Sequence, residues 1–250
     1  MGRRRFTYAF SQAGVRCFHG LVFGYLARGT ENVPLDGPCL LAANHKSYFD
    51  PPAIGACLER EIRYFAKREL FTVPLFGPLI RQYGAIPVDR AAFDRKTLRL
   101  ALDILAGGEA LLLFPEGTRI RRPGLGEAKE GVALLASQSG VPVVPVWVGH
   151  TYEPRRGLFR RIPIEIRFGP PIDFGESEGG DRRQRYAAMT AQVMSAIAEL
   201  GGVEAPPASP SPSSSQFPSS TSSSSPAQSS SPSPSPSPSP SPSPEVENVS

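Results

Sequence analysis

The chain has 250 residues, a formal net charge of +4 and 40% hydrophobic residues, a length that accommodates one α/β domain with a sizeable core. Beyond about Gly202 the sequence becomes serine and proline repeats holding three glutamates and no lysine or arginine, a composition that buries nothing and builds no core. Setting that tail aside raises the body from +4 to +7, a basic surface that suits nucleic acid, anionic lipid or a phosphorylated substrate, although no recognisable nucleic-acid motif accompanies the charge.

The first residues read as a membrane-interface helix, assigned to 1–32. Three arginines open it, and from Phe6 to Ala27 Arg16 is the only full charge. A spanning helix wants about 20 apolar residues, and Arg16 at a bilayer centre costs roughly 2.5–3.5 kcal/mol. On a helical wheel Gln12, Arg16 and His19 share one sector, with Phe6, Phe10, Cys17, Leu21 and Tyr25 largely away from it, so the helix is expected to lie in the interface. An ordinary core-capping helix is the competing reading. Cys17, Cys39 and Cys57 are odd in number and lack a CxxC spacing, which argues against a disulfide framework and a zinc site and fits a reducing cytoplasm.

From residue 33 the chain alternates. "CLLAAN" reads as a buried strand, "PPAIGACLE" as a helix, "IRYFAK" as a strand, "VPLFGPLIRQYG" as a short helix and "AIPVD" as a strand. "FDRKTLRLALDILAGG" is a helix stopped by glycine and "EALLLFPEG" a strand running into a turn. "AKEGVALLASQSG" is a helix, "VPVVPVWVG" and "IPIEIRFG" are strands, and "RRQRYAAMTAQVMSAIAEL" is the last helix. This order predicts an α/β sheet flanked by helices, in a domain over 33–203 followed by a disordered tail over 204–250.

Sites in open α/β sheets gather at strand ends. There the sequence places "NHKSYFD", "GAIPVDR" and "FPEGTR", and a further strand carries "VPVVPV". In this order and spacing these stretches resemble the four motif blocks of the glycerophospholipid acyltransferases, most closely the bacterial 1-acylglycerol-3-phosphate acyltransferases, over roughly Val33 to Phe174. One departure is Ile120, where the family often has serine. The resemblance implies that family's sheet, a catalytic pair in His45 and Asp50, and an acceptor site drawing on Arg90, Glu116, Gly117 and Arg119. It also implies no cofactor or metal, lysophosphatidic acid as acceptor, acyl-CoA or acyl carrier protein as donor, and a place on the cytoplasmic face of a membrane, without nucleic acid as partner.

The chemistry agrees with the residue types. Transfer of an acyl group from a thioester to an alcohol needs a base for the hydroxyl proton, and histidine titrates in the right range. Asp50 precedes Pro51, which makes it a candidate N-cap; Ser47 as cap, with Asp50 completing a capping box, is the competing arrangement. Residues five apart on a regular helix point about 140° from each other, so a His45–Asp50 hydrogen bond needs His45 in the preceding loop. Arg90 and Arg119 offer guanidinium forks suited to a phosphate, and Gly117 permits a tight turn. Lys46, Lys67 and Arg68 are further phosphate candidates.

Two rival classes stand beside this one. "GESEG" at 175–179 matches a serine-hydrolase elbow, yet His19, His45 and His150 all precede Ser177, against that motif's order. A non-catalytic membrane lipid-binding protein would also use the basic body. Within the transferase class, glycerol phosphate or another lysolipid is the alternative acceptor.

Overall fold

The computed structural model describes residues 25–89, 94–151, 163–175 and 181–206. All of them fall within the first of the two units into which the chain divides, Met1–Ser211. Seven strands form one sheet in the order β1-β7-β6-β2-β5-β3-β4. They are β1 Tyr25–Arg28, β2 Cys39–Ala43, β3 Ile62–Lys67, β4 Ala85–Val88, β5 Ala110–Leu113, β6 Val143–Gly149 and β7 Ile164–Phe168. Every neighbouring pair is parallel except β6 and β7, which run antiparallel.

The helices are α1 Asp50–Cys57, α2 Phe76–Gln82, α3 Arg95–Ala106, α4 Gly131–Ser139 and α5 Arg182–Gly201. Each falls on a segment that the sequence reading marks as helical, with α1 starting one residue earlier and α5 ending one residue later than expected. Strand β2 shows why the sheet is covered on both faces. All five of its residues are wholly buried, and alternate side chains enter different clusters. Leu41 and Ala43 pack with Ala53, Ile54 and Ala56 of α1, whereas Leu40 and Ala42 pack with residues of α3, α4 and α5. A strand buried on both sides reads as a continuous apolar run, which is how "CLLAA" appears.

One expectation fails. The stretch assigned to a helix through residue 32 is strand from Tyr25 to Arg28 and a 3-10 turn from Thr30 to Asn32. β1 lies parallel to β7 with Tyr25 opposite Ile164 and Arg28 opposite Arg167, so pairing with a strand about 140 residues away decides the conformation. Helical wheel arguments carry no term for such a partner. Residues 1–24, the bulk of the expected interface helix, and nearly all of the serine and proline tail lie outside the described residues. Among the described residues no helix is long and apolar enough to cross a membrane.

Candidate active site

The central strand β2 ends at Ala43, and its neighbours β5 and β6 run parallel to it. The loop leaving β2 is therefore held between the loop leaving β5 and the end of β6. Asn44 fastens the first connection: its side chain donates to the Val148 carbonyl at 2.9 Å and accepts from the Val148 amide at 2.7 Å. The next residue, His45, donates its backbone N–H to Glu116 Oε2 at 2.7 Å, and its carbonyl accepts from the Ile120 amide at 2.8 Å. Two loops separated by 71 residues are thus stitched together at the backbone of His45.

The His45 ring follows from that placement. Its Nδ1 lies 2.9 Å from Asp50 Oδ2, and the ring stacks on Phe114 with centroids 3.9 Å apart. Asp50 is wholly buried, and the same Oδ2 also accepts from the amides of Lys46 at 2.6 Å and Ser47 at 2.7 Å. Two backbone N–H groups and the imidazole nitrogen thus converge on one carboxylate oxygen. With Nδ1 donating to that oxygen, Nε2 carries the lone pair of a base.

Neither anticipated cap is complete, and the reason is local. Asp50 is the first residue of α1, Phe49 occupies the N-cap position, and no side chain caps the helix. Pro51 and Pro52 have no N–H, and the Ala53 amide donates to the Phe49 carbonyl at 2.9 Å, so Asp50 finds no unengaged amide ahead of it in the first turn. Its carboxylate turns back over the loop and takes the Ser47 amide, half of a capping box. The Ser47 hydroxyl accepts from Phe49 instead of from residue 50. The double proline therefore releases Asp50 for His45.

Glu116 differs from its expected part. It is 2% exposed, and both oxygens are engaged, Oε2 by the His45 amide and Oε1 by the Gly126 amide at 2.7 Å. A carboxylate so occupied braces the loops; Pro115, Gly117 and Thr118 line the adjoining cavity and Glu116 does not. Gly117 makes this turn possible. Its φ of 64° is one that a side chain rarely tolerates, and a Cβ there would stand 3.2 Å from the Lys129 side chain. Lys46 is corrected likewise. It is 3% exposed and its ammonium donates to the carbonyls of Arg122 and Gly124, so it ties down the loop after "FPEGTR" and offers no phosphate site. Burial pushes its pKa below the ordinary 10.5, and the carboxylates of Glu116 and Asp50 oppose that shift.

Beside His45 opens a cavity of about 310 Å³. Its walls include Tyr64, Phe65, Leu70, Phe76 and Ile80, while Lys67, Arg119 and Lys129 supply positive charge. Arg119 is held by Tyr48: its guanidinium lies 3.5 Å above the Tyr48 ring and donates to the Tyr48 hydroxyl at 2.8 Å. Arg68 pairs with Asp89 at the surface. Arg90 and Ser177 lie outside the described residues, so the second arm of the expected clamp and the hydrolase elbow have no geometry here. Asn44, Tyr48, Phe114 and Lys129 escaped the sequence reading. Tyr48 sits inside the quoted "NHKSYFD", but only the folded loop puts its ring under Arg119.

Cys39 and Cys57 are buried thiols, and burial raises the Cys39 pKa above its ordinary value. The Cys57 thiol donates to the Ala53 carbonyl within α1. Among the described residues no group of His, Cys, Asp or Glu is clustered to hold a metal.

Residues 26–149 match the sequence model of the Acyltransferase family. The 1-acyl-sn-glycerol-3-phosphate acyltransferase of Bacillus subtilis is 28% identical over 197 residues, covering 77% of this chain and 96% of that one. The enzyme of the same name from Pseudomonas aeruginosa is 31% identical over 188 residues, covering 70% and 71%. The crystal structure of PlsC, the 1-acyl-sn-glycerophosphate acyltransferase of Thermotoga maritima, superposes with a TM-score of 0.62 at 25% identity, covering 80% of this chain and 82% of that chain. The quoted blocks lie in the matched region, and the sheet carries "NHKSYFD" and "FPEGTR" on neighbouring strand ends; the chain belongs to the acyltransferase family.

Proposed function

We propose that the protein transfers a fatty acyl group from an acyl thioester to the free hydroxyl of 1-acylglycerol-3-phosphate, giving phosphatidic acid. The observation that carries the reading is the 2.9 Å contact between His45 Nδ1 and buried Asp50, beside an apolar cavity with cationic side chains in its wall. Relatives named for this reaction support the choice of acceptor.

In the proposed mechanism His45 Nε2 takes the acceptor's hydroxyl proton as the oxygen attacks the thioester carbonyl. The tetrahedral adduct collapses, the carbon–sulfur bond breaks, and the imidazolium returns the proton to the departing thiolate. Asp50 holds the ring's tautomer and stabilises the imidazolium, as an orienting carboxylate does. Arg119, joined by Arg90, receives the acceptor's phosphate, and Gly117 allows its close approach. Glu116 is a positioning residue that fixes the His45 backbone. Acyl-CoA or acyl carrier protein supplies the acyl group, and no cofactor takes part. The enzyme works at the cytoplasmic face of a membrane through an anchor before residue 25, with the catalytic domain next and the serine and proline tail as a separate segment.

The deciding experiment incubates purified protein with lysophosphatidic acid, glycerol phosphate and other lysolipids, each with both thioester types, and identifies products by mass. Phosphatidic acid formed by wild type and absent with His45→Ala is the expected result. Preference for glycerol phosphate would overturn the acceptor assignment, and turnover undiminished in His45→Ala would overturn the mechanism.

A further inference from the structure

Large apolar side chains exposed to solvent are few among the described residues: Leu35, Tyr48, Phe49, Val73 and Leu75. Leu35 precedes β2, at the opposite end of that strand from His45. The other four gather on two neighbouring loops. Tyr48 and Phe49 each set a ring against Phe76, with centroids 6.4 and 5.8 Å apart, and Val73 and Leu75 belong to the segment that enters α2 at Phe76. Tyr48 and Phe76 also line the cavity beside His45, so the patch is continuous with that cavity's wall.

Leu75 is the telling residue. It is 90% exposed and adopts φ 64° and ψ −42°, while the Phe76 amide reaches back to the Pro74 carbonyl at 2.7 Å. That is a γ-turn of the rare, strained hand, with a branched apolar side chain at its apex. Glycine would occupy such an apex without strain. A leucine held outward at this cost to the backbone contributes nothing to the core, and it gains stability only against an apolar partner.

We propose that Tyr48, Phe49, Val73, Leu75 and Phe76 form an insertion surface that seats the catalytic cavity on an anionic lipid bilayer. The charges around the patch select that partner. Lys67 and Arg119 line the cavity, and exposed Arg81 lies in α2. Of the acids on the same segments, Asp89 is tied to Arg68, leaving Glu69 as the opposing charge. Apolar side chains beside a cavity that carries lysine and arginine match the boundary between acyl chains and anionic headgroups. The inference deepens the acceptor assignment above: a lysolipid would pass from the leaflet into the cavity with its apolar chain shielded from water.

Full-length protein carrying Leu75→Trp provides the direct test, since the chain's single tryptophan, Trp147, is buried in β6 and gives a fixed background. On vesicles of phosphatidylcholine with phosphatidylglycerol, the new emission shifts to the blue and is quenched by lipids brominated along their chains. Unshifted, unquenched emission on vesicles that have bound the protein would overturn the insertion surface.

A second variant, Val73→Ser with Leu75→Ser, is read in two assays. Its transfer to vesicle-embedded long-chain lysophosphatidic acid falls about tenfold, while transfer to a short-chain, water-dispersed lysophosphatidic acid stays within about twofold. Equal losses on both acceptors would make the patch part of the catalytic site and refute its role at the lipid surface. Wild-type self-association that the variant abolishes, without change in lipid quenching, would assign the patch to a second copy instead. Absence of turnover on either acceptor by wild type would defeat the acceptor assignment alone, because the fluorescence arm needs no activity.

Discussion

In the proposed mechanism the side chains around His45 divide into one that moves a proton and several that keep it in place, and substitution should separate them. His45→Ala is expected to lower kcat by about two to four orders of magnitude with an unchanged circular dichroism spectrum. Retention of more than about a tenth of the wild-type rate would remove His45 as base. Asp50→Asn should both slow transfer and weaken the fold by about 1–3 kcal/mol, because an amide replaces the acceptor of three N–H groups. Arg119→Ala should raise the acceptor's KM about ten- to a hundredfold and leave the donor's KM alone. Tyr48→Phe keeps the ring beneath the guanidinium but drops the 2.8 Å hydrogen bond, so its effect should be the same in kind and smaller. Equal shifts for donor and acceptor would count against a phosphate clamp.

Lys46 offers a pH test. Its folded pKa is lowered by burial, so between that lowered value and 10.5 the unfolded chain holds more protons than the native one. Stability contributed through this residue therefore rises with pH across that window. Lys46→Met loses both the titration and the bonds to the Arg122 and Gly124 carbonyls. Its deficit in urea midpoint against wild type should widen as pH climbs towards 10.5, and a deficit that narrows would contradict the burial argument.

At the level of elements, α1 is tuned for its first turn more than for its length. Restoring amides with Pro51→Ala and Pro52→Ala should let Asp50 bond forward along the helix and loosen its hold on His45. Activity is expected to fall about ten- to a hundredfold with little loss of melting temperature, since a displaced base is costly and two alanines suit a helix. Unchanged kcat would show that the loop amides alone fix the carboxylate. The same turn marks what sequence reasoning could reach. "NHKSYFD" and the prolines after it were legible as a loop feeding a helix, because proline's missing N–H is a property of the residue itself. The tyrosine under Arg119, the Glu116 brace and the Asn44 clamp on Val148 were not, since each depends on which strands become neighbours. Lys46 was misjudged for a related reason: a lysine between two polar residues looks solvated until a loop 76 residues away closes over it.

For the whole molecule, the boundary between anchor and domain is the point on which the fold revises expectation. The periodic apolar stretch continues to Ala27, but residues 25–28 form an edge strand, and Ala27 packs against the buried cluster that includes Ile166 and Phe168. A truncation that removes 1–24 should therefore keep the melting temperature of the full chain, whereas one that removes 1–28 deletes the β1–β7 ladder and should melt several degrees lower. Both should bind vesicles more weakly than the full chain and lose only part of the remainder in high salt, because basic surface charge is screened over about 8–10 Å at ordinary ionic strength while the apolar side chains inserted at the Leu75 patch are not. Removing 204–250 should alter neither melting nor kinetics, since serine and proline repeats bury no apolar surface. Sedimentation with vesicles across a salt series, paired with calorimetry, separates the contributions. Equal melting temperatures for the two N-terminal truncations would mean that β1 adds nothing to the sheet. Binding by the 1–24 deletion as strong as the full chain's, and as resistant to salt, would move the principal anchor from the N-terminus to the apolar patch at Leu75.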